Sequence, residues 1–104
     1  MAGSSGKLNA FDIPVYSASD PTTVVQVLPA ATARSRWRIL NTGGSLLHYG
    51  FDPSTLRPGY GWPMEVPATP NGQGGGDDSD QAALGPVYVV ASSAGGRVVV
   101  QDFA

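Results

Sequence analysis

The sequence predicts an all-β fold: a single antiparallel β-sandwich or jelly-roll-like barrel of six to seven short strands. Three observations carry that prediction. Near the C-terminus, Val87, Val89 and Val90 precede a small-residue turn, and Val98, Val99 and Val100 follow it. β-Branched runs of this kind favour a pleated, half-buried surface, and Gly95 and Gly96 supply the backbone freedom of a tight hairpin. Upstream, Arg36–Asn41 and residues 46–51 repeat the pattern around Thr42-Gly-Gly-Ser45. Between the two, no apolar residues recur at helical spacing.

Each element follows from its residues. Residues 1–10 are small and polar and read as a flexible arm. Residues 12–16 form a short extended piece whose Pro14 suits a sheet edge, because proline has no amide hydrogen to donate. Asp20-Pro21 marks a turn, and residues 22–28 form a strand that Pro29 stops. After a loop over residues 30–35, Arg36–Asn41 alternates, with Trp37 and Ile39 facing the core and Arg36 and Arg38 facing out. Residues 46–51 are its expected hairpin partner, and residues 52–61 a loop. A short strand over 62–66 is weakened by Pro63. Residues 67–85 include a glycine–aspartate run with almost nothing apolar to bury, and read as a flexible loop. Val87–Ala91 and residues 97–103 close the sheet as a hairpin. The division is an N-terminal arm and edge segment, 1–16, and one β-domain, 17–104.

Composition narrows the function. At 104 residues the chain is one domain. Only 13% of residues are charged, against a norm of about 25%. So thinly charged a surface points to cover by a partner or by copies of the same chain. The net charge of −2 and the sparse basic residues disfavour nucleic acid, whose phosphates dominate such binding. Without cysteine there is neither a disulfide framework nor a thiolate metal site. No apolar run has the length of a membrane span, and the N-terminus lacks a signal-peptide core, so cytoplasmic synthesis is expected.

No residue set marks catalysis. His48 is the only histidine and sits between Leu47 and Tyr49 in a strand, with no nucleophile elbow nearby; its structural reading is preferred to a triad. Glu65, the only Glu, reads as an outward strand residue rather than half of a glycosidase pair. Asp77, Asp78 and Asp80 cluster as calcium ligands do, but without EF-hand order, so a solvated loop is preferred. No enzyme, metal or cofactor is expected.

Interface candidates rest on residue type alone. Leu8, Phe11, Ile13 and Tyr16 are too apolar for a purely solvated arm and too few for a core. The arm is therefore expected to be loose in the free protein and to order against a neighbour. Arg34, Arg36 and Arg38 suit acidic groups on a partner, Arg34 and Arg36 being the chosen candidates, although arginines on one face of a strand are more often plain solvent-side residues. Tyr60 and Trp62 suit an aromatic anchor or a platform for sugars, with simple capping of the fold an equal reading.

The run from Val24 to Phe51 reads strand, Leu-Pro-Ala, polar loop with Arg, strand, Asn-Thr-Gly, strand, Gly-Phe. Residues 85–103 add a Gly-Pro-Val-Tyr strand, a small turn and a valine-rich last strand. This texture resembles small β-sandwich virion structural proteins of tailed bacteriophages. The resemblance covers about residues 22–103 and leaves the arm and the glycine–aspartate loop as departures. It implies a non-enzymatic capsid decoration, or cement, protein on the capsid exterior, assembled in the host cytoplasm. Its partners would be the major capsid protein and further copies of the chain, as a trimer or dimer. The alternative is a carbohydrate- or receptor-binding module of a phage fibre or tail.

Overall fold

The structure, a computed structural model, describes residues 7–30, 34, 36–68, 74–79 and 85–103. Among these residues eight strands follow one another: β1 Lys7–Ile13, β2 Val25–Leu28, β3 Arg36–Asn41, β4 Leu47–Gly50, β5 Trp62–Met64, β6 Gly76–Ser79, β7 Val87–Ala91 and β8 Gly96–Phe103. The one helical piece among the described residues is a 3-10 turn at Pro21–Thr23, capped by the Asp20 carboxylate. No helix among the described residues is long and apolar enough to cross a membrane.

The strands form two four-stranded antiparallel sheets, ordered β1-β8-β3-β6 and β2-β7-β4-β5. Pairing nests from the inside outward. β4 pairs with β5, β3 with β6, β2 with β7 and β1 with β8. The chain is thus a ribbon folded double, and β3·β8 and β4·β7 contacts join the folded ribbon into sheets.

Alternation decides which side chains go inside. Ile13, Trp37, Ile39, Val98 and Val100 of the first sheet share one core with Val27, Leu47, Tyr49, Met64, Val87, Val89 and Ala91 of the second. Trp37, Ile39, Val89 and Val98 were expected there, and each is at most 3% exposed. At one end of the core, Trp37, Tyr49 and Phe51 meet edge to face, with ring centroids 5.9 to 6.4 Å apart. Buried Asn41 ties the layers together. Its amide nitrogen donates to the carbonyls of Ser45 and Met64 at 2.8 and 2.9 Å, and its side-chain oxygen accepts from Gly43 N–H. That satisfied set explains the Asn of the Asn-Thr-Gly signature.

Four expectations are corrected. First, the turns at 42–46 and 92–95 are not hairpins. β3 and β4 lie in different sheets, as do β7 and β8. Both turns are arches from sheet to sheet, and they bond to each other. Gly44 N–H donates to Gly95 O at 2.8 Å, Ser92 N–H to Leu46 O at 3.1 Å and Ser93 N–H to Ser45 Oγ at 3.0 Å. β-Branched residues around a glycine turn mark two strands, but not that the two pair with each other.

Second, residues 7–13 are not a loose arm. β1 pairs with β8 over its whole length, from Lys7↔Asp102 to Ile13↔Gly96, and buries Ile13. Third, residues 74–79 are not a flexible loop. Gly76–Ser79 is a strand on β3, and Gly75 bonds Glu65 O at 2.8 Å and accepts from Asn41 N–H at 2.9 Å. A Cβ on Gly75 would lie 2.4 Å from Glu65 N, and one on Gly76 2.2 Å from Ile39 O. The glycines are there for close backbone approach, not for freedom. The calcium reading concerned the side chains of Asp77 and Asp78 and residue Asp80, all of which lie outside what is described. Fourth, the strands among the described residues number eight, not six or seven, because β6 was read as loop and the start of β1 as arm.

Candidate functional site

Two surfaces stand out, one on the outer face of each sheet. On the first sheet, residues alternating with the core project outward in rows. Ala10, Val99 and Leu40 face one another across β1, β8 and β3. Ala10 is exposed, and Val99 and Leu40 are half-buried. The next row brings Leu8, Gln101 and Arg38 together, with Leu8 63% exposed. Rows beyond carry Arg36 opposite Phe103, with the guanidinium 4.7 Å from the ring centre, and Asp12 bonded to Arg97 at 2.9 Å. This face is an apolar strip of Leu8, Ala10, Leu40 and Val99 flanked by Arg36, Arg38 and Arg97.

The outer face of the second sheet is covered in part by loops. Gln26, Tyr88 and Gly50 lie side by side across β2, β7 and β4. Gly50 has no side chain, and Leu56 from the β4–β5 loop packs over it. Leu56 is only 4% exposed, although it lies outside the main core. Its neighbour Gly61 is equally tight: a Cβ there would sit 2.6 Å from Leu56 Cδ1 and 2.8 Å from Tyr49 O. Beside Gly61 on this loop, His48 is 7% exposed, and Val90, paired with it on β7, is fully buried. Burial pushes the His48 pKa down, and its Nδ1 has no hydrogen-bond partner.

Between that loop and the β1–β2 connection runs a groove of about 740 Å³, with Gln26 and Tyr88 as its floor. Its walls have a common construction. Asp20-Pro-Thr22 and Asp52-Pro-Ser54 are both aspartate-capped turns. In each, one carboxylate oxygen accepts the backbone N–H and the hydroxyl of the residue two places on, at 3.0 and 2.6 Å for Thr22 and 2.9 and 2.7 Å for Ser54. Those bonds hold both carboxyls below their ordinary pKa and keep them ionised. Tyr16 and Tyr60 stand at the rims, and the Arg57 guanidinium lies 3.8 Å from the centre of the Tyr60 ring. The doubled Asp-Pro-Ser/Thr spelling was a sequence signal for this groove that the strand pattern overshadowed.

The eight interface candidates part company. Leu8 is exposed on the first sheet's outer face, and Arg36 lies on the same face, stacked on Phe103. Tyr16 and Tyr60 line the groove; Trp62 is 62% exposed but does not. Phe11 and Ile13 pack into the chain's own core, so neither is offered to a neighbour. Arg34 is likewise engaged internally, at 3% exposure. Its guanidinium bonds Asp102 at 2.8 Å, Pro29 O at 2.7 Å and Gly85 O at 3.3 Å. It pins β8 to two connections at one end of the molecule, a role that needs the folded topology to be seen.

Among the described residues no group of three or more His, Cys, Asp or Glu is placed to hold a metal ion. No protein family, curated protein or solved structure matches the chain.

Proposed function

We propose that the chain is a non-enzymatic virion structural protein that decorates the outside of a bacteriophage capsid and bridges its major subunits. The observation that carries this reading is the outer face of the first sheet. It combines exposed hydrocarbon at Leu8 and Ala10 with Val99, Leu40 and a border of three arginines. Such a strip suits a partner surface that is apolar at its centre and polar around it. The strand order supports it as well. Sheets ordered β1-β8-β3-β6 and β2-β7-β4-β5 are what a doubled ribbon gives when rolled into a jelly roll, an architecture that capsid domains use.

No chemistry is required of such a protein. Each contact is small, but many copies on a repeating shell act together. A dimer or trimer of the chain would add contacts at each site.

The test is co-sedimentation with capsids that lack decoration. Wild-type protein should bind stoichiometrically. The pair Leu8→Glu and Ala10→Glu, both at exposed positions, should keep the circular dichroism of the folded chain and lose at least about tenfold in affinity. Absence of wild-type binding would refute decoration, and full binding by the double variant would remove this face from it.

A further inference from the structure

We infer that the groove between the two aspartate-capped turns is a binding site for a short neutral oligosaccharide. The inference stands apart from the decoration reading, because the groove lies on the other sheet. Its dimensions come first. About 740 Å³ falls within the range of small-molecule sites.

Its chemistry follows. A pyranose offers a flat patch of C–H groups on one side and hydroxyls at its edge. Three tyrosines, Tyr16, Tyr60 and Tyr88, supply aromatic surfaces at both rims and on the floor. Each carries a hydroxyl that donates or accepts. Gln26 lies directly opposite Tyr88; its amide nitrogen makes a long bond to Leu28 O at 3.5 Å, and its second N–H and its carbonyl oxygen can meet ligand hydroxyls. Asp20 is held in place through one carboxylate oxygen by Thr22, which orients the other as a ready acceptor.

Charge then selects among ligands. Asp20 is ionised, and Arg57, laid against Tyr60, offsets it. Asp52 in the facing turn is ionised too, so the groove has no surplus of positive charge, and a phosphate or a carboxylated ligand gains nothing there. A polyhydroxylated neutral ligand meets a matched set of donors, acceptors and ring faces.

The site is also prepared in advance. Both walls are fixed by their own turn bonds, and Leu56 anchors one of them to the sheet. A preformed groove loses little ordering entropy on binding.

The experiment is a titration of isotope-labelled full-length protein with maltotriose, cellotriose and chitotriose, followed by amide NMR. At least one of the three should give saturable shifts confined to Tyr16, Asp20, Gln26, Arg57 and Tyr88. Gln26→Ala and Tyr60→Ala alter exposed side chains, should leave the spectrum of the fold intact, and should each weaken binding roughly tenfold. Both variants should still sediment with capsids as wild type does. Shifts with none of the three sugars, shifts centred elsewhere, or undiminished binding by both variants would overturn the assignment.

Discussion

The outer faces of the two sheets are built from the same short strands and end in opposite characters. The first sheet is the more open: Leu8 and Ala10 are exposed, Val99 and Leu40 half-buried, and Asp12 pairs with Arg97 at its margin. The second is roofed. Gly50 and Gly61 leave room for Leu56, which carries the β4–β5 loop down beside His48 and raises one wall of the groove. Two glycines and one leucine thus separate a face suited to a broad partner from a face suited to a small ligand. The strands supply the platform, and the connections decide what each platform meets.

The largest expected break in this comparison comes from Leu56. Truncation to alanine empties a buried site and frees the loop, and should cost about 2–5 kcal/mol. Leu8→Ala, on the more open face, should stay within about 0.5 kcal/mol. Urea unfolding of the two variants measures both values. Similar losses would mean that the faces are not differently held.

A smaller effect is expected at Gly61. Alanine there meets Leu56 and the Tyr49 carbonyl at sub-van-der-Waals range, so the loop must shift. About 1–3 kcal/mol of destabilisation should appear in the same unfolding measurement. If Gly61→Ala unfolds like wild type, the roof is looser than the geometry describes.

The mildest effect comes from His48. Burial lowers its pKa below the usual 6.5, so the folded chain takes up a proton less readily than the unfolded one. Stability from this residue is full above about pH 6.5, falls as the pH drops below that value, and levels off beneath the folded pKa. Urea midpoints between about pH 7.5 and about pH 5 should fall more for wild type than for His48→Gln. Parallel curves would show that the loop does not keep the imidazole dry.

Much of the core was readable from local pattern. Alternation in Arg36–Asn41 places Trp37 and Ile39 inside and Arg38 outside, because strand side chains change face at every residue. What local pattern does not carry is partnership. β3 pairs with β6 and β8, never with the adjacent β4, and nothing within residues 36–51 encodes that. The glycine–aspartate run misled for a related reason. Gly75 and Gly76 are small because Glu65 and Ile39 press against them, and those neighbours come from other parts of the chain. Arg34 shows the same limit: its anchor, Asp102, is 68 residues away. On the functional side, the exposure of Tyr60 followed from its loop. The groove beside it depends on two turns meeting across a sheet.

The nested pairing has a kinetic consequence. β8 lies between β1 and β3, so the first sheet lacks an interior strand until the last of the eight has been synthesised. Among the described residues β1 pairs with β8 alone, the strand farthest from it in sequence. Contacts this distant in sequence close slowly, and a nascent chain carrying β1 to β7 exposes unpaired edges in the meantime. Any truncation within β8 should yield aggregate rather than a smaller folded protein.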